Sequence, residues 1–269
     1  MCQCLKVTRS SYYDWLKRPL SVQQQANKTL SAQIKEIFKA GRQNYGTRRI
    51  RHALAASGFN VSRRRIGKLM KAMGLNCKTK RRFRVTTDSK HALPIAPNLL
   101  ARNFTVSKPD QCYAGDITYI PTQTGWLYLA VVIDLFSRQV VGWSMASHMK
   151  ATLVNDAFLM AIWKRKPKAG LLWHTDRGSQ YASASHRQLL VTHKVIQSMS
   201  RKGNCWDNAV SESFFHTLKT ELIHHVRFNN QEEARQAIFE YIEVFYNRTR
   251  MHSANDYLSP QDYEKAAGF

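Results

Sequence analysis

Apolar residues in the N-terminal part of the chain recur at helical spacing. Between residues 22 and 40, Leu30, Ile34 and Phe38 lie four residues apart, which places them on one face of an amphipathic helix. A break that contains two glycines follows, and residues 47–56 show the same period. These two segments therefore predict consecutive helices joined by a short turn.

A third helix is predicted after the turn sequence GFN. Ser62 is its expected N-cap, because a serine hydroxyl can accept a hydrogen bond from the first helical turn. Ile66 and Met70 then form the apolar face, and Gly74 ends the helix. Two short helices joined by a tight turn that contains glycine are typical of a helix-turn-helix.

Basic residues follow the outer face of this third helix and continue into the segment KTKRRFR. The predicted nucleic-acid contacts are Arg63, Arg64, Arg65, Lys68, Lys71, Lys80, Arg81 and Arg82. The alternative is a small three-helix bundle whose basic face is only solvated. We expect residues 1–84 to form a basic helix-turn-helix DNA-binding region, and residues 85–107, which show no clear period, to form a linker.

The hydrophobic period changes from helical spacing to strand-like alternation in the second part of the chain. The expected elements are strands at 113–120, 126–134 and 139–145, a helix at 150–165, a strand at 171–176, a helix at 183–192, a strand at 195–200 and a helix at 208–225. This order predicts an α/β fold with an RNase H-like core, a mixed five-stranded sheet with helices, over residues 108–225. Residues 226–269 are expected to form a C-terminal helical extension.

Two aspartates stand at positions where a strand does not favour them. Asp116 lies inside the first predicted strand, although aspartate is disfavoured there and a buried carboxylate must be paired or bind metal. Asp176 closes the strand LLWHTD at its carboxyl end, where open α/β sheets gather their ligands. For Asp176 the alternative is a structural role in capping a turn. Both acids are candidate ligands.

Three acids lie on or beside the predicted helix at 208–225, and helical geometry separates them. At about 100° per residue, Glu212 and Lys219 share a stripe opposite the apolar arc, whereas Glu221 points with that arc. Asp207 occupies the expected N-cap position. Glu212 is therefore the predicted third catalytic acid, with an ordinary exposed glutamate as the alternative. Lys219 is placed to hold a phosphate, or is simply solvated.

The triad of Asp116, Asp176 and Glu212 is predicted both to catalyse and to bind metal. Three carboxylates without a cysteine or an obvious histidine ligand nearby suit Mg²⁺ or Mn²⁺ rather than zinc. Two such ions, about 3.5–4 Å apart, can activate a water or a DNA 3′-hydroxyl and stabilise the leaving oxygen. The predicted chemistry is phosphoryl transfer with two ions.

Charge and composition indicate the partner and the compartment. Residues 1–100 carry 22 basic and 3 acidic residues, a net charge of +19, whereas residues 101–269 carry 19 and 15, a net charge of +4. Such a basic block most often meets a polyanion. The five cysteines are scattered, which disfavours a disulfide framework or a zinc site. Without a membrane-length apolar stretch or a signal peptide, a soluble cytoplasmic protein is expected, associated with the nucleoid when bound to DNA.

With these residues assembled, the chain resembles the OrfB-type transposases of bacterial insertion sequences, whose catalytic core is like that of retroviral integrases. The matching segments are NYGTRRI (44–50), AGDITYIPT (114–122), YLAVVIDLFSRQVVGW (128–143), HTDRGSQY (174–181), SRKGNCWDNAVSESFFHTLKTE (200–221) and YNRTRMHSANDYLSPQDYE (246–264). Between Asp176 and Glu212 lie 35 residues, as in the family's D,D-35-E signature. Lys219, seven residues past the glutamate, also belongs to that pattern.

The resemblance implies that Asp116, Asp176 and Glu212 coordinate the metal ions and that Lys219 contacts the transposon end. The implied reaction is DNA strand cleavage and joining at inverted repeats, which results in transposition and integration. The implied partners are the DNA ends, the target DNA and further copies of the chain in a homo-oligomer on DNA. An upstream reading frame is implied to supply a leucine zipper and another helix-turn-helix.

Three further residues are predicted to support the site. Asp134 ends the second strand before a turn, where support is expected more often than ligation. His174 either orients Asp176 or packs in the core. Asn208 is expected to shape and cap the entry to the helix that carries Glu212.

Two other functions are compatible with these residues. An RNase H-like nuclease would use the same metal site to hydrolyse nucleic acid without joining it, but it would not need a basic helix-turn-helix that reads DNA ends. A non-catalytic DNA-binding regulator, or a decayed transposase, would not need all three acids.

Overall fold

The structure, a computed structural model, describes residues 2, 4, 6–78, 93–201 and 205–269, with only the backbone for residues 205 and 206. The chain divides into two units, Met1–Cys77 and Lys78–Phe269. The predicted DNA contacts Lys80, Arg81 and Arg82 lie outside the described residues. Among the helices that are described, none is long and apolar enough to cross a membrane.

The first unit is helical. Its helices are α1 (Arg9–Lys17), α2 (Val22–Ala40), α3 (Thr47–Ala56) and α4 (Arg63–Ala72). Its core is formed by Leu30, Ile34, Phe38, Ile50, Leu54, Ile66 and Met70. The Ser62 hydroxyl accepts a hydrogen bond from the Arg65 backbone N–H at 3.3 Å and so begins α4. The three helices predicted from apolar spacing are confirmed, whereas α1 was not predicted, because it buries no residue and has no apolar stripe facing a core.

The turn between α2 and α3 depends on a close approach that only glycine permits. A Cβ atom at Gly41 would lie 2.4 Å from the ring of Tyr45, well inside van der Waals contact. The Tyr45 ring is thereby buried against the end of α2. The glycine that interrupts the helical pattern in the sequence therefore also completes the core of the unit.

The second unit is built on a mixed five-stranded sheet. Its strands are β1 (Cys112–Thr122), β2 (Gly125–Asp134), β3 (Val140–Ala146), β4 (Leu172–Thr175) and β5 (Ile196–Met199), in the order β3-β2-β1-β4-β5. The first three strands are antiparallel, and β4 and β5 run parallel to β1. The predicted α/β fold, a mixed five-stranded sheet with helices, is confirmed.

Helices cover both faces of this sheet. The helices are α5 (Ala151–Arg165), α6 (Ala184–Thr192), α7 (Ala209–Glu221), α8 (Gln231–Phe239), which continues as a π-helical segment (Glu240–Tyr246), and α9 (Pro260–Ala266). Along β2, Val131 and Ile133 join the core that contains α7 and α8, whereas Ala130 and Val132 join the core that contains α5. Strand alternation therefore separates the two cores.

The single helix predicted over about 208–225 begins within one residue of the expected position but ends earlier than predicted. A 3₁₀ turn occupies Cys205–Asn208, α7 begins at Ala209, and a second 3₁₀ turn occupies Ile223–His225. Leu222 leaves the helical conformation with φ −125° and ψ −67°. The His225 ring donates from Nε2 to the Thr220 carbonyl at 2.8 Å, which satisfies one of the unpaired carbonyls at this helix end.

Part of the predicted linker at 85–107 packs within the second unit. The Ser198 hydroxyl on β5 accepts hydrogen bonds from the backbone N–H groups of Leu99 and Leu100, at 2.9 and 3.3 Å. The Leu100 side chain is buried against Cys112 and Leu135. The segment before β1 thus contributes to the sheet edge near β5.

Candidate active site

The sheet contains a notch where the short strand β4 ends beside the longer strand β1. Their pairing stops at Gly115 and Thr175, while β1 continues to Thr122. Asp116 is the first β1 residue beyond the last pair, and Asp176 is the first residue after β4. Since paired positions on neighbouring strands point to the same face, this register brings the two carboxylates together.

The floor of the notch is aromatic. A Cβ atom at Gly115 would lie 2.2 Å from the Trp173 ring. Because glycine has no side chain, the indole can pack directly against the β1 backbone at the residue before Asp116. The indole N–H donates to His186 Nε2 at 2.9 Å, which holds the ring in place. Tyr181 is also buried here, and burial, followed by the charges of Asp116 and Asp176, raises its pKa well above the usual value. The two acids therefore lie above a rigid, poorly hydrated floor.

A cleft of about 510 Å³ opens at the notch. Asp116, Asp176, Tyr119, Trp126, Tyr128 and Tyr181 line it, together with the loop that follows Asp176. In that loop the Gly178 N–H donates to Asp176 Oδ1 at 2.9 Å. The cleft is thus acidic at its centre and aromatic around it.

Helix α7 covers the face of the sheet to which Asp116 points. Asp116 pairs with Val131 across the β1–β2 ladder, and Val131 belongs to the core shared with α7. Burial raises the pKa of Asp116 well above its usual value, and the charges of Asp176 and Glu212 raise it further. Lys219 opposes this rise in the pKa of Asp116. The two notch acids therefore share an electrostatic site with these two α7 residues.

Glu212 and Lys219, the α7 side chains predicted to belong to the site, lie on the stripe of α7 opposite its buried residues. Glu212 is exposed, and partial desolvation raises its pKa. Desolvation lowers the pKa of Lys219, while the charge of Asp116 raises it. The Lys219 ammonium lies 5.0 Å from the centre of the Tyr119 ring, at the rim of the cleft. Phe214 and Leu218 are buried on the opposite stripe, as helical geometry predicts.

Asp207, the acid beside the start of α7, is held by hydrogen bonds from other side chains. Asp207 is fully buried, and its carboxylate accepts hydrogen bonds from Arg201, Arg102 and Asn98 at 2.9–3.0 Å. The hydrogen bonds from Arg201 hold the pKa of Asp207 well below its usual range. The expectation that Asp207 is the N-cap is wrong, because Asn208 holds that position and Asp207 ties distant segments together.

The acid at the end of α7 is also paired. Glu221 accepts three hydrogen bonds from the Arg250 guanidinium at 2.7–3.1 Å and one from the Tyr241 hydroxyl at 2.8 Å. Glu221 and Arg250 are both almost completely buried. This pair links α7 to the C-terminal segment and leaves Glu212 as the α7 acid that faces the notch acids.

Of the three supporting residues, Asp134 contacts backbone rather than the cleft. It accepts from the N–H groups of Asp110 and Phe136 at 2.7 and 2.6 Å. Burial raises its pKa to about 7, and these two hydrogen bonds oppose the rise. Its geometry is that of a structural acid that organises the turn after β2, and its supporting role stays a prediction.

The other two supporting residues, His174 and Asn208, connect the strands at the notch to neighbouring elements. The His174 ring contacts the hydroxyls of Ser198 and Ser200 at 2.9 and 3.3 Å, so the ring faces β5, and burial lowers its pKa. The Asn208 amide donates to the Gly115 carbonyl at 3.4 Å, which ties the entry to α7 to the strand next to Asp116. Asn208 occupies the N-cap position of α7 as predicted, but its side chain makes no cap hydrogen bond.

The three carboxylates are chemically suitable ligands for a divalent cation, but their side chains are not close enough together to hold one ion. Carboxylates that raise one another's pKa repel when ionised, and a bound cation would relieve that repulsion. Within the described residues, however, no three acidic, histidine or cysteine side chains stand close enough to hold one ion together. Asp116 and Asp176 are brought side by side by the sheet, whereas Glu212 approaches from a helix whose preceding residues 202–204 are not described.

In the first unit, the predicted basic face is exposed on α4. Arg63, Arg64, Lys68 and Lys71 are exposed. Arg65 differs, because its guanidinium donates to Asn27 Oδ1 at 3.0 and 2.8 Å and so ties α4 to α2. The exposed four form a basic surface, whereas Arg65 is engaged within the unit.

Sequence reasoning missed two features of the site. Tyr119 and Trp126 line the cleft although neither was predicted as a site residue, and strand alternation gave no signal for Tyr119, because three residues after Asp116 it points to the opposite face of the sheet. Arg250 was assigned no partner, because nothing local in the sequence links it to Glu221, 29 residues away.

Comparisons with known proteins agree with this architecture. The integrase core domain family matches residues 106–205 and 212–267, and an HTH-like domain family matches residues 24–83. A chain of the simian T-cell lymphotropic virus intasome has a similar fold, with a TM-score of 0.51 at 16% identity over 80% of this chain and 70% of that chain. Fold and domains define a protein with an integrase-type core and a helix-turn-helix-like domain.

Relatives that are similar over nearly the whole chain identify the family within this class of proteins. A 31 kDa protein of insertion element IS600 from Shigella sonnei is 45% identical over 98% of this chain and 97% of its own length. The InsF transposase for insertion sequence IS3A from Escherichia coli strain K12 is 44% identical over 98% of this chain and 92% of its own length. The chain therefore belongs to the IS3-type insertion-sequence transposases, and the resemblance seen in its sequence is confirmed.

Proposed function

We propose that this transposase cuts DNA at the inverted repeats of its insertion sequence and joins the new 3′ ends to target DNA, using Asp116, Asp176 and Glu212. The observation that carries the proposal is the notch, where two carboxylates at neighbouring strand positions are coupled electrostatically to a third on α7. Asp207 and Glu221 have arginine partners, whereas the carboxylates of this group repel one another.

The three acids would hold Mg²⁺ or Mn²⁺, and we propose two ions. Oxygen ligands are the ones these cations prefer. Bound ions would supply activation of a water or a 3′-hydroxyl and charge stabilisation at the leaving oxygen. Because Asp116 and Asp176 project from a rigid sheet, they would form the fixed part of the site, and Glu212 would complete it from α7.

Other residues would position the DNA. Lys219 lies at the cleft rim near Asp116 and would bind a phosphate of the transposon end through its ammonium group. Asn208 would keep the start of α7 against β1 through its hydrogen bond to Gly115. His174 and Asp134 would support the same sheet edge and turn from within the fold.

DNA recognition would be divided between the units. The basic face of α4 would enter the major groove of the terminal repeat, with Arg63, Arg64, Lys68 and Lys71 as contacts and Arg65 as a brace. We retain residues 1–84 as the DNA-binding region, 108–225 as the catalytic core and 226–269 as the C-terminal extension. A homo-oligomer on DNA, assistance from an upstream-frame product, and a cytoplasmic, nucleoid-associated location complete the proposal.

The direct test is a strand-transfer assay with a labelled duplex that carries the terminal inverted repeat, plasmid target DNA and Mg²⁺ or Mn²⁺. Glu212→Gln should lose joined product while it still binds the duplex, because it removes one charge without removing volume. The matched control is Glu232→Gln, an exposed glutamate on α8, which should transfer strands like the unmodified protein. If both variants form the same amount of joined product, Glu212 is not a catalytic residue.

The same assay separates strand transfer from nuclease activity. Cleaved but unjoined product in the presence of target DNA would support the nuclease. The joined product, sensitive to Glu212→Gln, would support the transposase reaction. Binding without either product would support a DNA-binding regulator.

A further inference from the structure

Two large aromatic side chains stand exposed at the mouth of the active-site cleft. Tyr119 is 37% and Trp126 49% exposed, and their rings meet edge to face with centroids 5.0 Å apart. An aromatic pair that packs with itself, but leaves its outer surface open, is suited to receive another flat ring. We call these two residues the aromatic shelf.

The backbone holds the shelf in place. Tyr119 pairs with Tyr128, and Trp126 pairs with Pro121, two positions further along the β1–β2 ladder. Tyr119 and Trp126 are therefore diagonal neighbours on one face of the sheet. Gln231 on α8 also donates to the Trp126 carbonyl at 3.1 Å. Little conformational freedom would be lost when a ligand binds to a surface fixed in this way.

The shelf belongs to the same cleft as the notch acids. Tyr119, Trp126, Asp116 and Asp176 all line one cavity of about 510 Å³. This volume lies within the usual range for sites that take a small molecule or a single nucleotide unit. Lys219, 5.0 Å from the Tyr119 ring centre, adds a cation whose charge also acts on Asp116. The cleft thus combines two exposed aromatic rings, set edge to face, with a positive charge next to one of them.

We propose that the aromatic shelf stacks an unpaired DNA base next to the phosphodiester on which the enzyme acts. The base would stack on one of the two rings and meet the other ring across its edge, and its phosphate would contact Lys219. Every base has a π face, so this contact would hold the strand end without reading its sequence. The inference rests on the proposed function, because it takes the cleft as the place of strand cleavage and joining.

A binding assay without catalysis tests the shelf. A fluorescent duplex with a three-nucleotide 3′ overhang is titrated with the full chain in EDTA, and fluorescence anisotropy is followed. The comparison ligand has the same overhang with abasic sites, which keeps the phosphates and removes the bases. The unmodified protein should bind the base-containing overhang about 5- to 150-fold more tightly, the range expected for one stacked base.

Variants assign that difference to the shelf. Trp126→Ala and Tyr119→Ala should each lose most of it, and Trp126→Phe should retain most of it. The matched control is Trp163→Ala, which removes an exposed tryptophan of α5 outside this cleft and should retain the full difference. Thermal unfolding of each variant separates lost binding from lost folding.

The two proposals fail in different ways. If folded Trp126→Ala and Tyr119→Ala keep the full preference for base over abasic DNA, the shelf does not stack a base, whatever the strand-transfer assay gives. The same conclusion follows if the unmodified protein shows no preference. If the preference for base-containing DNA depends on the shelf but Glu212→Gln still transfers strands, base stacking by the shelf is supported and the assignment of Glu212 as a catalytic residue is wrong.

Discussion

The cleft and the two ends of α7 both contain acidic side chains, but they use them in opposite ways. At the ends of α7, Asp207 and Glu221 are buried and each is held by arginine, so both are paired charges. In the cleft, Asp116 is destabilised by burial and by the charges of its acidic neighbours. We name the first pair the anchored acids, and Asp116, Asp176 and Glu212 the cleft acids.

This difference shows that burial alone does not identify a catalytic carboxylate. Asp207 is less exposed than Glu212, yet its partners satisfy it completely and hold its pKa low. Within the described part of the chain, Glu212 has no arginine partner, and burial raises its pKa. Acids whose charges repel one another favour a nearby cation or a bound proton, whereas the charge of an acid paired with arginine is already balanced within the fold.

The largest expected effect is on activity after a change in the cleft. Asp176→Asn should reduce strand transfer by at least about 10⁴-fold, equivalent to about 5.5 kcal/mol of activation free energy, because a ligand of the proposed ions is lost. The melting temperature should stay the same or rise, since the change removes a repulsion with Asp116. A large loss of stability in this variant would place Asp176 with the anchored acids.

The next effect is on stability after a change at an anchored acid. Glu221→Gln should lower the free energy of unfolding by about 3–5 kcal/mol, because Arg250 would remain buried without its counter-charge. Urea unfolding followed by circular dichroism measures it. The double variant Glu221→Leu/Arg250→Met removes both charges and should recover much of the loss. If the double variant is as unstable as the single one, unpaired charge is not the cause.

A smaller effect is expected at Asp134, whose amide variant can accept only one of the two backbone hydrogen bonds. Asp134→Asn should cost about 1–2 kcal/mol. Burial raises the folded-state pKa to about 7, above the unfolded value. The stabilising contribution of this group is therefore greatest below about pH 4 and is lost as the pH rises through 7. The stability advantage over Asp134→Asn should shrink from pH 4 to pH 8, and an advantage that grows with pH would contradict this account.

The smallest effect is expected at Asp207, because its arginine partners are about half exposed. Asp207→Asn should cost about 1 kcal/mol at pH 7. Its pH dependence has the opposite sign, since Arg201 holds the folded-state pKa well below the unfolded value. The stabilisation is present above about pH 4 and is lost on further acidification. Unfolding curves between pH 3 and pH 7 measure it, and a difference that grows toward pH 3 would exclude this pairing.

The sequence predicts the fold well where a local pattern reflects burial. Apolar spacing identified α2, α3 and α4, and strand alternation identified β1, β2 and β3. It did not identify α1, which has no buried face. The break at Leu222 was also missed, because the helical pattern continues through it in the sequence.

For the site, local reasoning can select residues but cannot supply their distant partners. Helical geometry separated Glu212 from Glu221, and the structure buries Glu221 as that geometry requires. The role of Asp207 was wrong because its partners, Arg102 and Arg201, converge only in the folded chain. The catalytic roles of the cleft acids remain a prediction.

The most direct test of the central claim is cation binding to the cleft acids. Isothermal titration of the unmodified chain with Mn²⁺ should show binding that Asp116→Asn abolishes, while the circular dichroism spectrum stays unchanged. The matched control, Asp156→Asn, removes an exposed carboxylate on α5 and should bind like the unmodified chain. Equal Mn²⁺ binding by Asp116→Asn and Asp156→Asn would contradict the account.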